Sequence, residues 1–157
     1  MSDVGKLKVA TPGDREVAVT RVFNAPRRLV WDAHTKPELI KQWLLGPPGW
    51  TMPTCEVDLR VGGKYRYVWA HPEHPSFEIG GTYREIAAPD RMVTLENFMG
   101  AEANNTMVLT EAGGKTTMAL TLVFASKEVR DGALKTGMTG GMEQSYQRLD
   151  KMLSADA

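Results

Sequence analysis

A chain of 157 residues with nineteen Lys plus Arg against nineteen Asp plus Glu is sized for one domain that buries about two-thirds of its unfolded surface. No basic run is interleaved with aromatics, so neither a nucleic-acid groove nor an anionic membrane is expected as a partner. No apolar run nears the roughly twenty residues that span a bilayer. The lone Cys55 excludes an internal disulfide, and the opening MSDVGKLKVA has no signal-peptide core, so a reducing cytoplasm is the expected location.

Residues 1–14 mix Gly5, Pro12, Gly13 and charges without period and read as a tail, leaving 15–157 as the domain. Arg15 to Phe23 alternates as a strand, but Val17, Val19 and Phe23 share their parity with Arg21, so the inner face stays open. After Asn24-Ala25-Pro26 come two short helices, one carrying Leu29, Val30 and Ala33, the next beginning at Pro37 and carrying Leu39, Ile40 and Trp43. Gly46-Pro47-Pro48-Gly49 ends the pair with a loop that carries Trp50.

From Thr54 the period is two, with Cys55, Val57 and Leu59 on one side, up to a Gly62-Gly63 turn. Lys64 to Ala70 alternates most clearly, placing Tyr65, Tyr67 and Trp69 on one inward face. His71 to Pro75 reads as a loop. Phe77 to Ile86 is a further strand in which Gly80-Gly81 marks a bulge or a close backbone approach. Arg91 to Phe98, Thr106 to Glu111 and Lys115 to Phe124 bring the count to seven strands. Because the strands do not alternate with helices, a doubly wound sheet is excluded.

The chain closes on a helical stretch, Ser126 to Leu153. Met138, Gly141, Met142, Ser145, Tyr146, Leu149, Met152 and Leu153 follow the spacing of a one-faced helix. That stripe needs a sheet face to lie against. It is thin at Gly141 and Ser145, which either leaves volume between helix and sheet or lets the two approach closely.

Phe23-Asn24-Ala25-Pro26 with Val30-Trp31, Thr35-Lys36-Pro37-Glu38, Trp43, Gly46-Pro47, Asp58-Leu59-Arg60 and Gly62-Gly63 forms an ordered set of motifs. It continues through Gly81-Thr82-Tyr83-Arg84-Glu85-Ile86, Pro89, Arg91, Gly137-Met138, Gly141, Ser145 and Arg148-Leu149. In these residues the chain resembles the bacterial START-like (SRPBCC) proteins named after the activator of the ninety-kilodalton heat-shock chaperone's ATPase. The resemblance implies an α+β helix-grip fold: a curved seven-stranded antiparallel sheet around a long C-terminal helix, two short helices after the first strand, and a cavity between sheet and helix. The chain departs from the family at Leu44-Leu45 after Trp43 and at Met142. These replacements put an inherited ligand preference in question.

The candidate ligand-binding residues are Trp43, Trp50, Tyr65, Tyr67, Trp69, Phe77, Tyr83, Glu85, Met107, Gly141, Met142, Ser145 and Tyr146. Rings with polar tips suit an apolar pocket that orients its ligand by hydroxyls; the competing reading is ordinary core. Glu85 shares the parity of Tyr83 and would be a desolvated anchor if it points inward, or a surface carboxylate if it does not. Asp58 and Arg60 read as a structural charge pair. His34, His71 and His74 lack the spacing of a closed metal site, and Cys55 reads as a small hydrophobe rather than a nucleophile. No metal, cofactor or catalytic set is expected. The expected function is binding of a small apolar or aromatic molecule. Chaperone contact and a cyclase or hydrolase use of the same cavity are the alternatives, and a homodimer is compatible with either.

Overall fold

The computed structural model describes residues 5–98 and 100–155. Its strands are β1 (Lys8–Ala10), β2 (Glu16–Phe23), β3 (Thr51–Val57), β4 (Lys64–His71), β5 (His74–Ala87), β6 (Arg91–Phe98), β7 (Ala101–Ala112) and β8 (Lys115–Phe124). The helices are α1 (Arg27–Thr35), α2 (Pro37–Trp43), α3 (Lys127–Lys135) and α4 (Met138–Ala155). All neighbouring strands pair antiparallel in the order β1-β2-β8-β7-β6-β5-β4-β3.

Eight strands therefore replace the expected seven. The extra one is β1, inside the stretch read as a tail, where Lys8, Val9 and Ala10 pair with Thr20, Val19 and Ala18. It is short and exposed, so it carries no alternation of burial that a sequence pattern could reveal. The part of that tail before Gly5 lies outside the described residues. β3 begins at Thr51, and β5 begins at His74 within the expected loop, because the β4–β5 turn is tighter than its two prolines suggested.

The C-terminal helical stretch is two helices. Ser126 caps α3, its Oγ accepting from the Val129 N–H at 3.2 Å. The chain breaks at Gly137, whose φ of +80° ends one helix and redirects the next. α4 then lies against α1, α2 and α3 and turns Tyr146, Leu149 and Leu153 into the core. Arg148 and Met152 are half-buried.

On β2 the inner face is the one with the charge: Val17, Val19, Arg21 and Phe23 are all buried. Arg21 is tolerated because both its terminal nitrogens reach Asp150 on α4, at 2.7 and 2.8 Å, and one also donates to the Gly5 carbonyl. A buried cation paired and hydrogen-bonded in this way clamps helix to sheet.

The inner face of the sheet has two unlike halves. Under β2, β8 and β7, the side chains of Val17, Val19, Met118, Leu122, Leu109 and Met107 are packed out of solvent. Across β3 to β6, Cys55, Val57, Tyr67, Ile79, Glu96 and Phe98 are covered only in part.

Candidate functional site

The half-covered region is organised by one rung of the sheet. Tyr65 stands opposite Gly81, Gly81 opposite Glu96, and Glu96 opposite Ala103, so all four positions share the inner face. A Cβ on Gly81 would fall 2.4 Å from the Tyr65 hydroxyl and 2.5 Å from Cζ. The Tyr65 ring thus lies across the space left by the missing side chain. Its hydroxyl reaches over β5 and donates to Glu96 Oε1 at 3.1 Å. Of the two readings of Gly80-Gly81, close approach is therefore correct at Gly81, and the bulge falls elsewhere, at Arg84.

Tyr67 and Tyr83 flank the Tyr65 ring, with centroids 5.1 and 5.3 Å away, and Tyr67 hydrogen-bonds toward Tyr83. Burial pushes the phenols of Tyr65, Tyr67 and Tyr83 above their ordinary range, and for Tyr65 the neighbouring Glu96 charge adds to the effect. Burial likewise raises the Glu96 carboxyl, with the Tyr65 hydrogen bond opposing. Among the described residues, Tyr65 supplies Glu96's one hydrogen bond, and no basic side chain pairs with it. On the next rung Thr94 faces Asn105, whose Oδ1 is buried without a donor. Diagonal neighbours on one sheet face stand about 7–8 Å apart, which puts Asn105 beside Glu96.

The remaining sequence candidates fall into separate groups. Trp43 and Tyr146 stack at 5.2 Å between α2 and α4, with Phe23 edge-on to Tyr146 and the Trp43 Nε1–H donating to the Ala33 carbonyl at 2.9 Å. Both rings are core. Trp69, Phe77 and Trp50 form a second cluster with Ile40 and Met52; Trp69 Nε1 donates to the Leu44 carbonyl, tying the loop after α2 to the sheet. Met107 lies in the packed half, and Met142 is half-buried against it.

Gly141 and Ser145 face the Gly46-Pro47 loop. Ser145 Oγ accepts from the Gly46 N–H at 2.8 Å, and a Cβ on Gly141 would meet Pro47 Cδ at 3.9 Å and nothing else within 4 Å. The glycine is thus not there to let helix and sheet touch. Glu85 is corrected outright: it is exposed and ion-paired with Arg91. The extra residue at Arg84 breaks the alternation, so Tyr83 points in and Glu85, two residues on, points out.

The sequence reading missed Glu96, Asn105 and His34. The His34 Nδ1–H donates to the Val30 carbonyl at 2.8 Å, leaving Nε2 buried and unpartnered beside Trp43 and Tyr146. Burial lowers its pKa to about 4 against the pull of the Val30 bond. Cys55, opposite Tyr67, is half-buried, and desolvation pushes its thiol up. It does not carry the depressed pKa of a nucleophile. Chemically the arrangement offers hydrogen-bond acceptors and ring faces. On the opposite face of the same strands an open depression of about 730 Å³ is crossed by the Arg66–Glu78 ion pair. Among the described residues no group of three or more His, Cys, Asp or Glu could hold a metal, and no helix is long and apolar enough to cross a membrane.

Residues 24–154 match the family model described as Activator of Hsp90 ATPase homolog 1-like protein. The chain is similar to a crystal structure of a Rhodobacter sphaeroides protein, 29% identical, covering 96% of this chain and 99% of that one with a TM-score of 0.89. A Staphylococcus epidermidis protein solved by NMR is 25% identical over 96% of this chain and 95% of its own, with a TM-score of 0.81. A Mycobacterium smegmatis protein is 22% identical over 93% and 95%, with a TM-score of 0.84, a likeness of fold alone. No curated protein matches by sequence.

Proposed function

The chain belongs to the Activator of Hsp90 ATPase homolog 1-like family, and on that footing we infer that it binds a small, largely apolar molecule between the β3–β6 half of its sheet and the helices. One observation carries this reading. Glu96 and Tyr67 each keep accessible surface, yet the atoms around them desolvate their polar groups. Side chains that are reachable by a solvent-sized sphere but far from bulk water are those that wall an interior cavity. Ile79, Val57 and Phe98 supply apolar wall on the same face, and the tyrosines supply hydroxyls for orientation. Contact with a chaperone ATPase, which the family description names, would use an exterior surface and leaves this interior arrangement unaccounted for.

Titration with N-phenyl-1-naphthylamine, a neutral dye that fluoresces in apolar surroundings, tests the reading. The parent should bind and brighten the dye. Ile79→Trp, which fills the space opposite Tyr67, should abolish binding and keep the parent's melting midpoint. A parent that ignores the dye, together with an Ile79→Trp variant weakened by the 1–3 kcal/mol of an overpacked core, would refute it.

A further inference from the structure

The unmatched polar groups on this face are of one kind. Among the described residues Glu96 has one hydrogen bond and no counter-ion, its Oε1 taken by Tyr65. Asn105 Oδ1, one rung away, has no donor. The Tyr67 and Tyr83 rings flank that of Tyr65, whose hydroxyl holds the carboxyl. A carboxyl held by a single hydrogen bond, one unsatisfied amide oxygen and several aromatic faces, whose quadrupoles are negative, complement a positively charged, hydrogen-donating group. A desolvated carboxylate with one hydrogen bond and no counter-ion is costly, and a cation supplied by a ligand would offset that cost.

We propose that the molecule held in this cavity is an organic ammonium ion, an amine on an apolar or aromatic body, with its nitrogen on Glu96 and Asn105 Oδ1 and its carbon frame against Tyr65, Tyr67 and Ile79. This assignment rests on the cavity reading above. Unpartnered donors also exist: Arg21 Nε, on a guanidinium already held by Asp150 in the packed half, and Arg148 Nη1 on α4. An acid is included in the test for that reason.

Three probes of one size separate the charges: 2-phenylethylammonium, neutral 2-phenylethanol and anionic phenylacetate, each titrated calorimetrically into the full chain at neutral pH. The ammonium should bind at least about tenfold more tightly than the alcohol, and the acid most weakly. Glu96→Gln, which keeps the shape and the bond from Tyr65, should erase the preference for the ammonium over the alcohol. Tyr67→Leu should weaken both the alcohol and the ammonium, and the ammonium several-fold more. Equal binding of alcohol and ammonium, tighter binding of phenylacetate, or a preference that survives Glu96→Gln would overturn the assignment. So would binding of the naphthylamine dye with none of the three probes, an outcome that spares the cavity. Failure of dye and probes alike would remove both.

Discussion

The Tyr65 hydroxyl reaches Glu96 across the intervening strand because Gly81, between them, has no side chain to stand in the way. Gly81→Ala should therefore cost about 1–3 kcal/mol by driving the ring off the strand. The loss should be read by urea denaturation and accompanied by a change in tyrosine fluorescence. A variant as stable as the parent would mean that the ring does not need that space.

Asp150 and Arg21 make a second such pair, between elements at opposite ends of the chain. Arg21's side chain is completely covered and Asp150's is one-third exposed. Asp150→Ala leaves a buried guanidinium without its partner and should lower unfolding free energy by about 3 kcal/mol. Arg21→Met combined with Asp150→Ala should recover much of it, because a thioether of similar length needs no counter-charge. A double-mutant cycle on these two sites measures the difference.

The His34 imidazole titrates at about 4 in the fold and near its ordinary 6.5 when unfolded. Above about pH 6.5 both states are neutral and the residue is silent. As pH falls from there to about 4, the unfolded chain takes up a proton that the folded one refuses, and stability drops by at most about 3 kcal/mol. Glu96 acts in the opposite sense: its raised carboxyl favours the fold below its titration and costs stability as pH rises beyond its ordinary 4.5. The His34 contribution is isolated by subtracting the stability curve of His34→Gln from that of the parent. A difference that is flat over this window would show that the ring is solvated.

Gly140 and Gly141 lie inside α4, where a Cβ on the first meets nothing within 4 Å and one on the second meets only Pro47 Cδ at 3.9 Å. Neither needs a glycine backbone. Alanine at each should stabilise the protein by about 0.5–1 kcal/mol through helix propensity. Thermal melts of the single and double variants check this, and a drop at Gly141 would signal that the Gly46-Pro47 loop sits closer than 3.9 Å implies.

Leu149 is fully buried on α4, and Leu149→Asp should cost several kcal/mol through an unpaired interior charge. Circular dichroism of the purified variant should show a protein that is largely unfolded at room temperature.

Much of the architecture was legible because it repeats. The alternation of Tyr65, Tyr67 and Trp69 and the helical spacing of Tyr146, Leu149 and Leu153 each express one buried face, so pattern sufficed. The site was less legible. Counting in twos from Tyr83 left Glu85 either an inward anchor or a surface carboxylate, and a single extra residue at Arg84 turns it outward. Glu96 escaped notice because β6 is as apolar on its outer side, at Val93 and Leu95, as on its inner side at Met92 and Phe98. Small residues at Gly141 and Ser145 did signal room on the helix, but what meets them there is a loop about a hundred positions earlier in the chain. Local pattern does not reveal such a contact.

The strand order has a consequence for how the chain is made. β2 pairs along its whole length with β8, and Arg21 closes on Asp150, 129 positions later. A ribosome makes β8 and α4 long after β2, so the packed half of the sheet cannot assemble on a nascent chain until α4 has emerged. The β3–β6 meander is complete much sooner, and its aromatic inner face must wait exposed for α4. Chains stalled before Met138 should therefore be captured by holding factors and proteases, while release of the last two turns of α4 should convert the nascent protein abruptly to a resistant state.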